Sequence, residues 1–129
     1  MSFASFSNYL FENEELGKKK GSKVGKIESI YGWIDYYYEL SDDYPKGVLV
    51  DLGGFVYKQY RGKGKLKIML KKLFSSVPPG TTVQMAVSNR HLMSMFKRLG
   101  FKKVKRIAYW GENSHAMEST VTPELIDSI

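Results

Sequence analysis

The 129-residue chain contains no cysteine. Disulfides, thiolate metal ligands and a cysteine nucleophile are therefore excluded, and the composition fits a reducing compartment. Histidine is scarce as well: His91 and His115 stand alone, without the spacing of a metal site, and read as surface or structural residues. No uninterrupted apolar run is long enough to cross a bilayer, and the opening MSFASFSNYLFENEEL has neither the basic nor the apolar region of a signal peptide. A soluble, cytoplasmic protein with no membrane partner and no metal is expected. Internal repeats and low-complexity linkers are also missing, so residues 1–129 are expected to form one domain. The oligomeric state is not legible.

The most informative absence is that of carboxylates. Between Leu52 and Gly111 there is no Asp or Glu, whereas Lys58, Arg61, Lys63, Lys65, Lys67, Lys71 and Lys72 crowd the first part of that window. Arg90, Lys97, Arg98, Lys102, Lys103, Lys105 and Arg106 follow, and the formal charge is +7. Scattered lysines usually form a solvated face. A window this long without one acid points instead to a polyanionic ligand, either a phosphorylated cofactor or a nucleic acid.

What is present indicates a folded globule, since 43% of residues are hydrophobic and 14% aromatic. KGVLVDLGGFVYKQ, residues Lys46 to Gln59, predicts a buried strand in which Gly53-Gly54 marks a bulge or a close approach of a ligand to the backbone. A glycine loop follows, YRGKGK, and then Leu66, Met69, Leu70, Leu73 and Phe74 repeat at helical spacing to about Ser76. Thr82 to Val87 predicts the next strand. Asn89 is placed to cap a helix that ends at Gly100. FKKVKRIAYW reads as a strand, GENS as a turn and HAMEST as a returning strand, while Thr122-Pro123 starts a short terminal helix. VGKIESIYGWIDYYYEL suggests one or two strands, and SNYLFENEEL fits either a strand or a helix.

A helix N-terminus presents unpaired N–H groups and a partial positive charge, and glycines let an anion come close to them. The loop is therefore suited to phosphate, although GxG also occurs in ordinary turns. GKGKLKI lacks the third glycine of a dinucleotide fingerprint, and no GxxxxGK[ST] is present.

YRGKGK after one strand, joined to SNRHLMSMFKRLGF after the next, resembles the GNAT superfamily of acetyl-CoA-dependent N-acetyltransferases, whose loop reads R/Q-x-x-G-x-G/A. Arg61, Gly64 and Leu66 fill that pattern and align Ile68, Met69, Leu70, Leu73 and Phe74 with the family's apolar helix face. The alternative register, Gln59, Gly62 and Gly64, satisfies the glycines and puts Lys67 at a core position. The resemblance covers roughly Val48 to Thr120, and the part before about Val24 shows no match. It implies an α/β (α+β) fold with a mixed, mostly antiparallel central sheet flanked by helices and a truncated N-terminal part.

The resemblance also implies a chemistry. The N–H groups of Arg61, Gly62, Lys63, Gly64 and Lys65, followed by Leu66, would cradle the pyrophosphate of acetyl-CoA. The strand ending at Val56 and Tyr57 would pair with the pantetheine amides, and the Val56 N–H would polarise the thioester carbonyl. Asn89 would touch the cofactor arm, serve as a plain helix cap, or both. Asp51 is the candidate base, one position off the family's usual place, so that a bulge is needed to re-aim it. Phe96 stands where the family's acid is usually a tyrosine and would form an apolar wall. Without a cysteine, the acetyl group would pass directly to a primary amine in a ternary complex. Asp35, Glu39, Asp42 and Asp43, interleaved with Tyr36, Tyr37 and Tyr38, are candidates to attract that amine. The alternative is a noncatalytic protein on a degenerate version of the fold, binding CoA or nucleic acid.

Overall fold

The computed structural model describes residues 20–87, 89–104 and 115–129. The SNYLFENEEL segment, most of the strand expected in FKKVKRIAYW and its GENS turn lie outside the described residues.

The upstream aromatic stretch forms a hairpin of β1 (Gly21–Ser29) and β2 (Gly32–Leu40), joined by Ile30 and Tyr31. Then come β3 (Val48–Val56), a 3-10 turn (Lys58–Tyr60), α1 (Lys65–Ser75), β4 (Thr82–Val87), α2 (Arg90–Arg98), β5 (Lys102–Lys103), β6 (His115–Thr120) and α3 (Pro123–Ser128). The sheet order is β1-β2-β3-β4-β6-β5. Only β3 and β4 run parallel, with α1 in the connection between them, so the described sheet is mixed and mostly antiparallel. The strand expected to reach Gln59 ends sooner, at Val56. Tyr60 N–H donates to the Tyr57 carbonyl at 2.8 Å and Arg61 N–H to that of Lys58 at 3.3 Å, which closes a turn where a ladder would have continued.

One face of the sheet carries the core. Along β2 the buried positions alternate as Ile34, Tyr36 and Tyr38, with Trp33, Asp35, Tyr37 and Glu39 half-buried on the other side. Ile27 lies opposite Ile34, Leu49 opposite Tyr38 and beside Val83, and Met85 opposite Met117. The glycines at 25 and 47 make room for two phenol rings, since a Cβ at either would overlap Tyr36 or Tyr38 respectively. Helix α1 closes this face with Met69, Leu70, Leu73 and Phe74, each side chain contributing about 1.5–3 kcal/mol when fully buried. Ile68, expected on that apolar face, is instead 51% exposed. At 100° per residue it stands beside the lysines rather than the core.

Candidate functional site

Two strands part where the resemblance placed a cofactor. β3 and β4 pair only at Val48 with Thr82 and Leu49 with Val83, after which β4 stays with β6 and β3 stays with β2. From Val50 to Val56, no described strand lies along the outer side of β3. At the head of this stretch the β2–β3 register slips between Asp35 and Tyr37, so that Asp51 and Leu52 together oppose Tyr36. The bulge thus falls at Asp51, just before the Gly53-Gly54 pair. A bulge bends and twists its strand, which accounts for the divergence from β4.

Backbone alternation fixes what the free edge offers. Tyr57 N–H donates to the Tyr31 carbonyl at 2.9 Å, toward β2. Successive residues of a strand point their N–H and C=O groups to opposite sides, so those of Gly54 and Val56 face the opening. These are donors and acceptors that another extended chain would pair with.

The loop at the end of the edge is built by two left-handed residues, Gly62 at φ 74° and Gly64 at φ 73°. A Cβ at either would meet nothing within 4 Å. Glycine is required there by conformation, and the space in front of the loop is open. Gly64 is also the cap residue of α1 and provides no side-chain cap, and the first turn holds no acid. The N–H groups of Lys65, Leu66 and Lys67 therefore lack intrahelical partners. The other two described α-helices are served by their own chain: Asn89 Oδ1 accepts from His91 N–H at 2.8 Å and Leu92 N–H at 3.3 Å, and Thr122 Oγ1 accepts from Leu125 N–H at 3.1 Å. α1 gathers three cations at its start, Lys63, Lys65 and Lys67, where a helix dipole favours anions; α2 has one there, Arg90, beside its Asn89 cap.

The sequence-derived residues thus separate into groups. Val56, Tyr57, Arg61, Gly62, Lys63, Gly64, Lys65 and Leu66 follow one another around the end of the opening, with Leu66 half-buried against the core. Asn89, at the start of α2, caps its helix. Phe96 is 5% exposed, with its ring 5.1 Å from that of Phe101, which stacks in turn on Phe74 at 6.5 Å. The acidic and tyrosine cluster is divided by the pleat. Tyr36 and Tyr38 enter the core, Asp35, Tyr37 and Glu39 take the other face, and exposed Asp42 pairs with Lys20. His91 is exposed on α2 and His115 begins β6. Among the described residues no group of acids and histidines is placed to hold a metal ion, and no helix is long and apolar enough to cross a membrane.

Contacts that sequence reading missed are aromatic. Arg61 places its guanidinium carbon 5.0 Å from the centre of the Phe55 ring and donates Nε–H to the Val56 carbonyl at 2.9 Å. Phe55 stacks on Trp33 at 6.3 Å, and Lys26 Nζ lies 4.9 Å from the Trp33 ring. Tyr31 and Tyr60 meet edge to face at 5.0 Å, with Lys65 Nζ 4.4 Å from Tyr31. The signal lay in the β2–β3 register, which places Trp33 opposite Phe55 and is invisible until the strands are paired.

A cavity of about 560 Å³ lies elsewhere, between the end of α2, β6 and α3, lined by Leu99, Lys102, Glu118, Thr122 and Leu125. It includes neither the free edge nor the glycine loop.

No protein-family model matches the sequence, and no curated protein matches it. Solved structures do. The aminoglycoside N(6')acetyltransferase from Legionella pneumophila superposes with a TM-score of 0.57 at 21% identity, over 98% of this chain and 78% of that one. Arabidopsis thaliana NAA60 in complex with acetyl-CoA gives 0.55 at 18% identity, over 74% and 68%. An acetyltransferase of the GNAT family from Streptococcus pneumoniae gives 0.52 at 13% identity, over 71% of this chain and 60% of its own length. This chain therefore spans less than two thirds of the last. At such identities the likeness is one of architecture: the described sheet and helices form a GNAT fold.

Proposed function

We propose that this protein is an acetyl-CoA-dependent N-acetyltransferase that passes the acetyl group directly to a primary amine. The observation that carries the reading is the free edge of β3 running into an uncapped, lysine-rich helix N-terminus. The solved neighbour bound to acetyl-CoA and the acetyltransferases sharing the fold support it at the level of architecture.

The residues fit the ligand in order along the chain. N–H groups from Gly62 to Lys67, with the charges of Arg61, Lys63 and Lys65, suit a diphosphate. Gly54 and Val56, with Tyr57 at the strand's end, suit the amides of a pantetheine arm. Asn89 and Phe96 complete the proposed cofactor set, the first at the exposed start of its helix and the second as an apolar wall. Bound there, acetyl-CoA supplies an activated thioester. Val56 N–H, which faces the opening, is the proposed donor for its carbonyl oxygen. Transfer to an amine releases one proton, and Asp51, at the bulge, is the proposed acceptor. A thiolate with a pKa near about 8.5, by analogy with free cysteine, is a tolerable leaving group near neutral pH, so Phe96 in place of an acid is compatible with turnover.

The test is amide hydrogen exchange with and without acetyl-CoA, followed by thiol release with a panel of primary amines. Gly54 and Val56 are expected to exchange fast in the free protein and to become protected by acetyl-CoA, while Phe55 and Tyr57, which face β2, are slow in both. Protection confined to other segments would remove the edge assignment. Protection at the edge without thiol release for any amine would favour the noncatalytic CoA binder.

A further inference from the structure

Arg61 stands in a place that the cofactor reading needs vacant. The Val56 carbonyl points out of the sheet into the opening, where an added strand would offer it an N–H. In this structure the Nε–H of Arg61 takes that place at 2.9 Å. The side chain is exposed, and its guanidinium is also set over the Phe55 ring at 5.0 Å. Both contacts are weak at an exposed site, because water competes for the charge. Arg61 immediately precedes Gly62, so a dianion at the Gly62–Lys65 turn would offer the same guanidinium a stronger, charge-assisted partner.

Resting on the reading of this edge as the pantetheine site, we propose that Arg61 is a latch. In the free protein it satisfies the Val56 carbonyl. A diphosphate at the glycine loop draws it away, and the edge then accepts the pantetheine amides. Arg61 is thus a positioning residue that selects for thioesters carrying the diphosphate, beyond the affinity that the diphosphate itself adds.

Three roles for Arg61 predict different signs. A residue that only binds phosphate affects acetyl-CoA and leaves S-acetylpantetheine, the same arm without phosphates, unchanged. A brace that holds the strand end in shape weakens both when removed. A latch weakens acetyl-CoA and strengthens S-acetylpantetheine, because one competitor for the edge is gone.

The experiment is calorimetric titration of the parent, Arg61→Ala and Arg61→Lys with both thioesters, after melting curves establish that the variants are folded. For Arg61→Ala, acetyl-CoA is expected to bind about tenfold more weakly and S-acetylpantetheine about threefold to tenfold more tightly, the range of one net hydrogen bond. Arg61→Lys keeps the charge without the planar fork. It is expected to retain more acetyl-CoA affinity than Arg61→Ala while showing the same gain for S-acetylpantetheine. Inorganic pyrophosphate should tighten S-acetylpantetheine binding to the parent and have no such effect on Arg61→Ala, since coupling between the two sites runs through the latch. An unchanged or weaker S-acetylpantetheine affinity in Arg61→Ala overturns the latch while leaving the acetyl-CoA site standing. A parent that does not bind acetyl-CoA at all overturns both.

Discussion

At the scale of single residues, Tyr38 shows how a polar group is carried inside. It is 2% exposed, its hydroxyl lies 3.4 Å from the Lys46 carbonyl, and the hydroxyl of buried Thr81 lies 3.0 Å from that same carbonyl and 2.7 Å from the Pro78 carbonyl, with one proton to donate between them. Burial pushes the phenol above the usual tyrosine range, and the hydrogen bond with Thr81 offsets part of that rise. A raised folded-state value means that the folded protein holds the proton more tightly than the unfolded chain does. The stability tied to this proton is therefore complete below about pH 10 and is lost as pH rises through the higher folded value. Tyr38→Phe cannot ionise. Relative to the parent, its urea midpoint should be similar or slightly lower at neutral pH and should fall less steeply above about pH 10. Parallel alkaline limbs for the two proteins would show that Tyr38 does not govern this transition. None of this was legible in YYYEL, where three consecutive tyrosines look equivalent. The pleat sends Tyr36 and Tyr38 inward and leaves Tyr37 on the other face.

Helix α1 is the element in which stability and the proposed binding of a diphosphate would pull in opposite directions. Its apolar stripe and its start after the glycine loop were legible, because helical spacing and left-handed glycines leave local marks. The electrostatic mismatch at its head was legible too, in lysines where a helix prefers acids. Lys67→Glu corrects the mismatch by placing a carboxylate in the third helical position, where it complements the dipole and reaches the cap residue, and faces Lys71 four residues on. The ligand-free variant should gain about 0.3–1 kcal/mol, or roughly 1–4 °C in melting temperature. The same carboxylate repels a diphosphate, so the rise in melting temperature produced by acetyl-CoA should shrink. Paired melting curves read both signs at once. A variant that is more stable and keeps the full acetyl-CoA response would place the anion away from this helix. The departure of β3 from β4 was less accessible. Gly53-Gly54 pointed to an irregularity, but the bulge at Asp51 and Leu52 depends on Tyr36 of another strand, and pairing across the chain leaves no local mark.

Over the whole molecule, charge is sorted by element. Among the described residues, acids belong to the hairpin, the turn after it, the first half of β3, β6 and α3, as Glu28, Asp35, Glu39, Asp42, Asp43, Asp51, Glu118, Glu124 and Asp127. The loop, α1, α2 and β5 between them carry only cations. The acid-free window therefore maps onto contiguous elements, which left two ligands open, a phosphorylated cofactor or nucleic acid. Salt separates them. Duplex DNA held on a face of lysines releases counterions, and with six or more phosphate contacts its affinity falls by about a thousandfold or more between 50 and 200 mM salt. On the proposed reading, a diphosphate at the head of α1 would be held largely by backbone N–H groups in a fixed turn and the pantetheine arm by an uncharged strand edge, so few counterions would be displaced. Acetyl-CoA affinity is expected to fall by less than about tenfold over the same range, with any DNA retention lost first. Fluorescence titrations of a labelled duplex and calorimetry with acetyl-CoA, run in matched buffers, give the two slopes. If acetyl-CoA follows the steep slope and the duplex displaces it, the glycine loop is one part of a general polyanion surface, and the acetyltransferase reading loses the site on which it rests.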